Sequence, residues 1–173
     1  MVVRAAEVQD AVAIASVHVR SWQGAYRGIL PPDYLDGLRP DQRSAGWERI
    51  IAQADWPRAG TLVAEAGGEL LGFANIRPTR DADADPAEVA ELTSIYVLPE
   101  EFGKGFGSAL MTEVLGRLRE ASYRRATLWV LDGNDRAIRF YRAAGWRPDG
   151  ATKGDAIGGV GVTEVRFRQN LPP

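Results

Sequence analysis

The chain contains no cysteine. Disulfides, thiolate nucleophiles and zinc–thiolate sites are therefore excluded, and the composition fits a reducing compartment. Histidine occurs once, at His18. A multi-histidine metal centre cannot be built, and no metal is expected. Charge of either sign is not in excess: 21 Lys and Arg stand against 23 Asp and Glu, a net charge of −2. That leaves no basic footprint for nucleic acid. No apolar run approaches the length needed to cross a membrane. The first residues, Met-Val-Val-Arg-Ala-Ala-Glu, lack a signal-peptide pattern. The expectation is a cytoplasmic protein with neither nucleic acid nor membrane as partner. There are no internal repeats and no domain-splitting linker. At 173 residues the chain reads as one domain, 1–173, large enough to bury a core.

Glycine is present in quantity, 19 residues, and its placement is informative. The apolar, β-branched run Leu92-Thr-Ser-Ile-Tyr-Val-Leu98 stops at Pro99. Gly103, Gly105 and Gly107 follow at alternate positions. Leu110, Met111, Val114, Leu115 and Leu118 then recur at helical spacing. The pattern predicts strand, glycine-rich turn, helix. Such a turn collects free backbone N–H groups and the positive end of a helix dipole at one point. Without Cβ atoms, a bulky anion can approach that backbone. The physical reading is a phosphate-binding loop.

Two familiar versions of such a loop do not match. A P-loop needs Gly-x-x-x-x-Gly-Lys-Ser/Thr, but the loop's lysine, Lys104, lies between the first two glycines. A dinucleotide fold needs Gly-x-Gly-x-x-Gly, and its sixth position is here Ser108. The segment Val97-x-Pro99-x-x-x-Gly103-Lys-Gly-x-Gly107-Ser-x-Leu110 instead resembles the coenzyme A pyrophosphate loop of the GNAT-type N-acetyltransferase superfamily. Asn134-Asp-Arg-Ala-Ile-Arg-Phe-Tyr-Arg-Ala-Ala-Gly-Trp146 resembles that family's downstream motif, an Asn opening a helix that ends in Phe-Tyr-x-x-x-Gly-Phe/Trp. The two stand in the family's order and at about its separation, so the resemblance covers roughly residues 88 to 148. One departure is Phe102, where the family usually carries Gln or Arg.

Along the chain, residues 2–5 read as a strand. Asp10 can cap a helix with Ala11, Ile14, Ala15, His18, Val19 and Trp22 on one stripe. Residues 21–32 break that pattern as a loop with Trp22, Tyr26 and Tyr34 close by. Residues 40–54 read as a helix, and 61–65 and 69–76 as a hairpin around Gly67-Gly68. The acidic segment 80–88 reads as a solvated loop. Strands are expected at 90–98 and 126–131, and a helix at 134–144 with Gly145 just past its end. A short strand is expected near Trp146, a glycine-rich loop at 153–161 and a last strand at 162–168. These elements imply a mixed α/β architecture, a sheet with helices on both faces. The resemblance adds that the sheet has six to seven strands, is mostly antiparallel, and is splayed at its centre.

The resemblance also implies the chemistry: transfer of acetyl from acetyl-CoA, as co-substrate, to a small-molecule or peptide amine. Such a transfer needs a neutral amine, a polarised thioester carbonyl and a proton for the departing thiolate. Tyr141, seven residues after Asn134 and on the same helix face, is the candidate acid; the family's matching tyrosine points at the coenzyme sulfur. Glu91, on the strand ahead of the loop, is the candidate base, with Ser94 as a residue that could hold a water in its place. Coenzyme contacts are expected from the backbone of Ile95, Tyr96 and Val97, from the loop residues Phe102, Gly103, Lys104, Gly105, Phe106, Gly107 and Ser108, and from Asn134 and Tyr141. Asn134 equally fits a helix cap. Arg117, Arg119, Arg124 and Arg125 could reach coenzyme phosphates or form a solvated helix end. Trp22 and Tyr26 fit the acceptor pocket or plain packing, and His18 fits a core position. Family members often pair as homodimers, and the same is expected here. The alternative reading is an acyl-CoA-binding or regulatory domain without turnover; the presence of Tyr141 favours the enzyme.

Overall fold

A computed structural model of the chain describes residues 1–172. The strands are β1 (Val2–Ala5), β2 (Gly60–Ala66), β3 (Glu69–Pro78), β4 (Val89–Val97), β5 (Arg125–Leu131), β6 (Arg147–Ile157) and β7 (Val160–Asn170). They form one sheet in the order β1-β2-β3-β4-β5-β7-β6. Every neighbouring pair is antiparallel except β4 and β5. The helices are α1 (Ala11–Ala25), α2 (Pro32–Asp36), α3 (Asp41–Ala52), α4 (Phe106–Glu120) and α5 (Asp135–Ala143). This is the mixed, mostly antiparallel sheet with helices on both faces that the sequence implies.

Alternation along the strands divides the core in two. Leu62, Ala64, Ala74, Ile76, Leu128 and Val130 pack with α4 residues Leu110, Val114 and Leu118 on one face. Val63 and Phe73 pack with Ile14 of α1 and Trp47 of α3 on the other. A third cluster joins Tyr26, Leu30 and Leu35 to Leu131 at the end of β5.

Two irregularities in the central strands shape the site. The first is the short parallel pairing of β4 with β5, which covers only Val89–Glu91 against Arg125–Thr127. Beyond Glu91 the two strands part, so the β5-facing edge of β4 lacks a neighbouring strand. The second lies between β3 and β4: Asn75 faces Ser94 while Ile76 faces Leu92, which leaves Thr93 as the extra residue. Such a bulge moves every later side chain to the other face. Ala90 and Leu92 face α4 before it, and Ile95 and Val97 do so after it. Tyr96 is thereby turned towards the α1 side, against Phe73 and His18. The bulge is held by Thr93, whose hydroxyl contacts the Asn75 side-chain oxygen at 2.7 Å.

Three expectations need correction. The expected loop at 21–32 is helical as far as Ala25, where α1 ends, and the connection leads into α2, which Pro32 opens at a first-turn position where its missing N–H costs nothing. The expected glycine-rich loop at 153–161 is mostly strand: β6 runs to Ile157, and only Gly158 and Gly159 turn, both with positive φ, as a two-residue hairpin requires. β6 is largely exposed and carries little apolar alternation. It is held by its ladder to β7 rather than by burial. The 80–88 segment is not simply solvated. Arg166 of β7, largely buried, holds Asp81 at 3.2 Å, Asp83 at 2.7 Å and Asp149 at 2.8 Å. Asp81 also accepts the indole N–H of Trp129 at 3.0 Å.

Candidate active site

The glycine loop, the free edge of β4 and the start of α5 surround one cavity of about 300 Å³. It is lined by Gly103, Gly105 and Gly107 at one end, by residues 92–97 along one side, and by Asn134, Phe140 and Tyr141 opposite. The loop has the backbone its sequence requires. Gly103 and Gly105 have φ of +78° and +92°, and Gly105 is the residue that precedes α4. Gly107 serves a different need: a Cβ there would stand 3.3 Å from the Phe140 ring, so its absence lets α4 approach α5.

Most of the expected coenzyme residues meet in this cavity: Ile95, Tyr96, Val97, Phe102, Gly103, Gly105, Gly107, Ser108, Asn134 and Tyr141 all line it. Lys104 and Phe106 do not. Lys104 pairs with Glu101 at 3.1 Å on the surface, and Phe106 is buried in the α4 core. Asn134 caps α5 by accepting the Ala137 N–H at 3.2 Å, as one of its two sequence readings expects, and it also lines the cavity. The Val97 carbonyl already accepts the Ser21 hydroxyl at 3.0 Å.

Tyr141 is buried, with only 8% of its surface exposed. Burial pushes its phenol well above the usual range, and the neighbouring Tyr96 adds to the rise. It is a neutral hydroxyl throughout the working pH range. Across the cavity the Tyr96 and Tyr26 hydroxyls lie 3.3 Å apart, and burial raises both of these phenols as well. Three protonated phenols are thus gathered where β4 leaves β5. The Ser94 hydroxyl, on the same face as Tyr96, is buried without a hydrogen-bond partner and lines the cavity. An unpaired buried hydroxyl in a polar cavity is a place for a water or a substrate group.

Glu91 is placed differently. Its carboxylate is largely buried on the same face of β4 as Ser94, but outside the cavity lining. Both of its oxygens are engaged by Arg80, at 3.0 and 2.9 Å. Trp22 also stands back from the cavity and packs edge-on against Tyr26, which does line it. His18 is a core residue: its Nδ1 accepts the Trp47 indole N–H at 3.2 Å, and burial, then Arg43, lowers its pKa to about 4. Among the described residues no cluster of His, Asp or Glu is placed to hold a metal ion. The three aspartates around Arg166 surround a guanidinium instead.

Sequence reasoning missed Trp129, Arg136 and the Tyr26–Tyr96 pair. Trp129 is legible only in part, as an aromatic on the strand facing the split. The tyrosine pair depends on the bulge at Thr93, which leaves no mark in a β-branched run.

The candidate site is thus a cleft formed where parallel strands part, lined by a glycine loop and a buried phenol. Comparison with known proteins makes the class specific. Residues 22–146 match the acetyltransferase (GNAT) family. The uncharacterised N-acetyltransferase YuaI of Bacillus subtilis is 32% identical over 165 residues, 94% of this chain and 89% of that protein. Among solved structures, the ribosomal-protein-alanine N-acetyltransferase of Brucella melitensis superposes with a TM-score of 0.76 at 21% identity, covering 99% of this chain and 100% of that one. The PaiA N-acetyltransferase of Thermoplasma acidophilum, solved in complex with coenzyme A, gives 0.76 at 20% identity over 98% of each chain. The chain belongs to the acetyltransferase (GNAT) family and is, with it, an N-acetyltransferase.

Proposed function

We propose that the protein transfers acetyl directly from acetyl-CoA to a primary amine, of a small molecule or a peptide, in a ternary complex. The observation that carries this reading is the continuity of one cavity. It runs from the glycine loop, along the unpaired edge of β4, to Tyr141 and Ser94 at the split. In this reading the loop N–H groups and the α4 dipole hold the pyrophosphate. The β4 edge offers backbone groups to the amides of the pantetheine arm. Tyr141 donates to the sulfur as it leaves. The acetyl group passes from sulfur to nitrogen in one addition and elimination, and no cysteine is available for a thiol acyl-enzyme. Tyr26 and Tyr96 border the acceptor end. The test is thiol release from acetyl-CoA against a panel of amines and peptides. Acceleration by at least one acceptor is expected, and a panel with none would leave only a coenzyme-binding domain.

Glu91 is proposed as the general base, acting through water. It is the last β4 residue in register with β5, so it sits where the strands part. Replacing it with Gln should flatten the acid limb of the kcat/KM profile. A limb that persists with little loss of rate assigns Glu91 to holding Arg80. Ser94, whose unpartnered hydroxyl is a place for a water, then becomes the residue to replace.

A homodimer is also proposed. Val8, just before α1, and Val12, in its first turn, are 50% and 65% exposed, and Ile50 on α3 is 42% exposed. A second copy would cover these. A sedimentation mass near 18.8 kDa at micromolar concentration would reject the dimer.

A further inference from the structure

The coenzyme-binding face holds a cation that the protein leaves without a counter-charge. Arg136 is the second residue of α5, and it lines the cavity beside Phe102 and Gly103. Its guanidinium lies over the Phe102 ring, 3.2 Å from the centroid. Stacking of this kind uses the flat face of the group. The N–H donors lie in its plane and point outwards at the edges. Among the described residues, no carboxylate pairs with Arg136.

The surroundings of Arg136 oppose a positive charge. It occupies the first turn of a helix, the positive end of the dipole, where an acid is favoured. Arg139 lies three residues on, on the same side of the helix, and like charges at that spacing repel. Asp135, the adjacent acid, pairs with neither of them. Burial and Arg139 both disfavour the charged guanidinium, lowering its pKa below the usual arginine value. The other candidate arginines differ. Arg117 is engaged by Glu113 and Glu120, and Arg124 by Glu88. None of Arg117, Arg119, Arg124 and Arg125 lines the cavity.

We propose that Arg136, held flat on Phe102, is a ligand for the coenzyme's phosphates and closes the anion site opposite the glycine loop. The proposal rests on the acetyl-CoA reading above. A phosphate there takes in-plane donors from the guanidinium and N–H groups from the loop, and it relieves the repulsion at the start of α5. The coenzyme offers two sources of this chemistry, the pyrophosphate and the 3′-phosphate.

The test is calorimetric titration of the full chain with coenzyme A and with 3′-dephospho-coenzyme A, at low and high salt. Arg136→Ala should weaken coenzyme A by roughly ten-fold or more and reduce the salt dependence, with the ligand-free melting temperature unchanged. Arg136→Lys should recover little of the loss, because a lysine keeps the charge without the stacked fork. Phe102→Leu should weaken binding in the same direction by removing the platform. If both ligands lose equally in Arg136→Ala, the contact is to the pyrophosphate. If only coenzyme A loses, it is to the 3′-phosphate. Wild-type affinity and salt dependence in Arg136→Ala, with wild-type binding intact, would overturn the proposal and leave the acetyl-CoA reading standing. A wild-type chain that binds neither ligand would sink both.

Discussion

Replacing Gly105 by valine should abolish the rise in melting temperature that coenzyme A gives the wild-type protein. The wild-type rise follows from mass action. A ligand at about 100 times its Kd adds about 2.7 kcal/mol to the native state. For a chain of this size that is roughly 5 to 10 °C, at about 2–4 °C per kcal/mol. Gly105 has φ of +92° and precedes α4, so in the proposed site a phosphate would meet its neighbours' N–H groups. A Cβ on Gly105 would meet only the tip of Met1, at 3.8 Å, so the fold has room for a side chain. A branched side chain there crowds the loop backbone that a phosphate must approach closely. Valine also resists the left-handed backbone, which costs on the order of 1–3 kcal/mol. The ligand-free variant should therefore melt somewhat lower but still fold. Gly105→Asn separates the two effects, because asparagine tolerates that backbone and is not branched. It should restore the ligand-free melting temperature and recover part of the coenzyme shift. An undiminished shift in folded Gly105→Val would remove the loop from the binding site.

The loop could be read from the sequence because its chemistry is local. Three alternate glycines after a proline-ended strand, followed by a helical apolar stripe, specify backbone conformation directly. The spacing from Asn134 to Tyr141 is similarly local: one helix sets which face both occupy, and both reach the same cavity. Pairing across the sheet was much less legible. The bulge at Thr93 lies in a run of strand-forming residues without glycine or proline, yet it decides that Ser94 and Tyr96 face α1. β6 lacks the alternation that marks a strand, because β7 supplies its ladder and little of it is buried. The 80–88 segment looked solvated because its main partner, Arg166, lies more than eighty residues further on. Glu91 is the instructive case at the site. Its position on the strand was legible, but the arginine that takes both its oxygens stands eleven residues earlier, in a segment read as loop. The sequence does not single out Arg136, for a related reason. Four other arginines were as basic by sequence, and only packing shows which of them are engaged.

Tyr141→Phe should lower kcat and kcat/KM together, by roughly 10²-fold or more. The substitution keeps the ring and its contacts with Phe140 and Trp146, and removes one hydroxyl. Coenzyme affinity and melting temperature should barely change. The hydroxyl matters late, when the carbon–sulfur bond breaks and charge collects on sulfur. Burial, reinforced by Tyr96, raises the phenol's pKa. The raised value has two consequences. The proton stays on oxygen, so Tyr141 remains a hydrogen-bond donor at every working pH. It is also a weaker acid than an exposed tyrosine, so its main contribution is a hydrogen bond to the developing thiolate. Transfer of the proton completes once the sulfur, desolvated in the same cavity, has become basic enough to take it. The sign of the pH effect follows. A group that loses its proton only above its ordinary value of about 10 contributes no basic limb to kcat below that pH. The wild-type profile should therefore stay level on its alkaline side up to about pH 10. The Phe variant should lie below it by a constant factor, parallel rather than converging. A variant with near-normal kcat would show that water protonates the thiolate. Tyr141 would then be an aromatic packed beside Phe140 and Trp146 and not the acid.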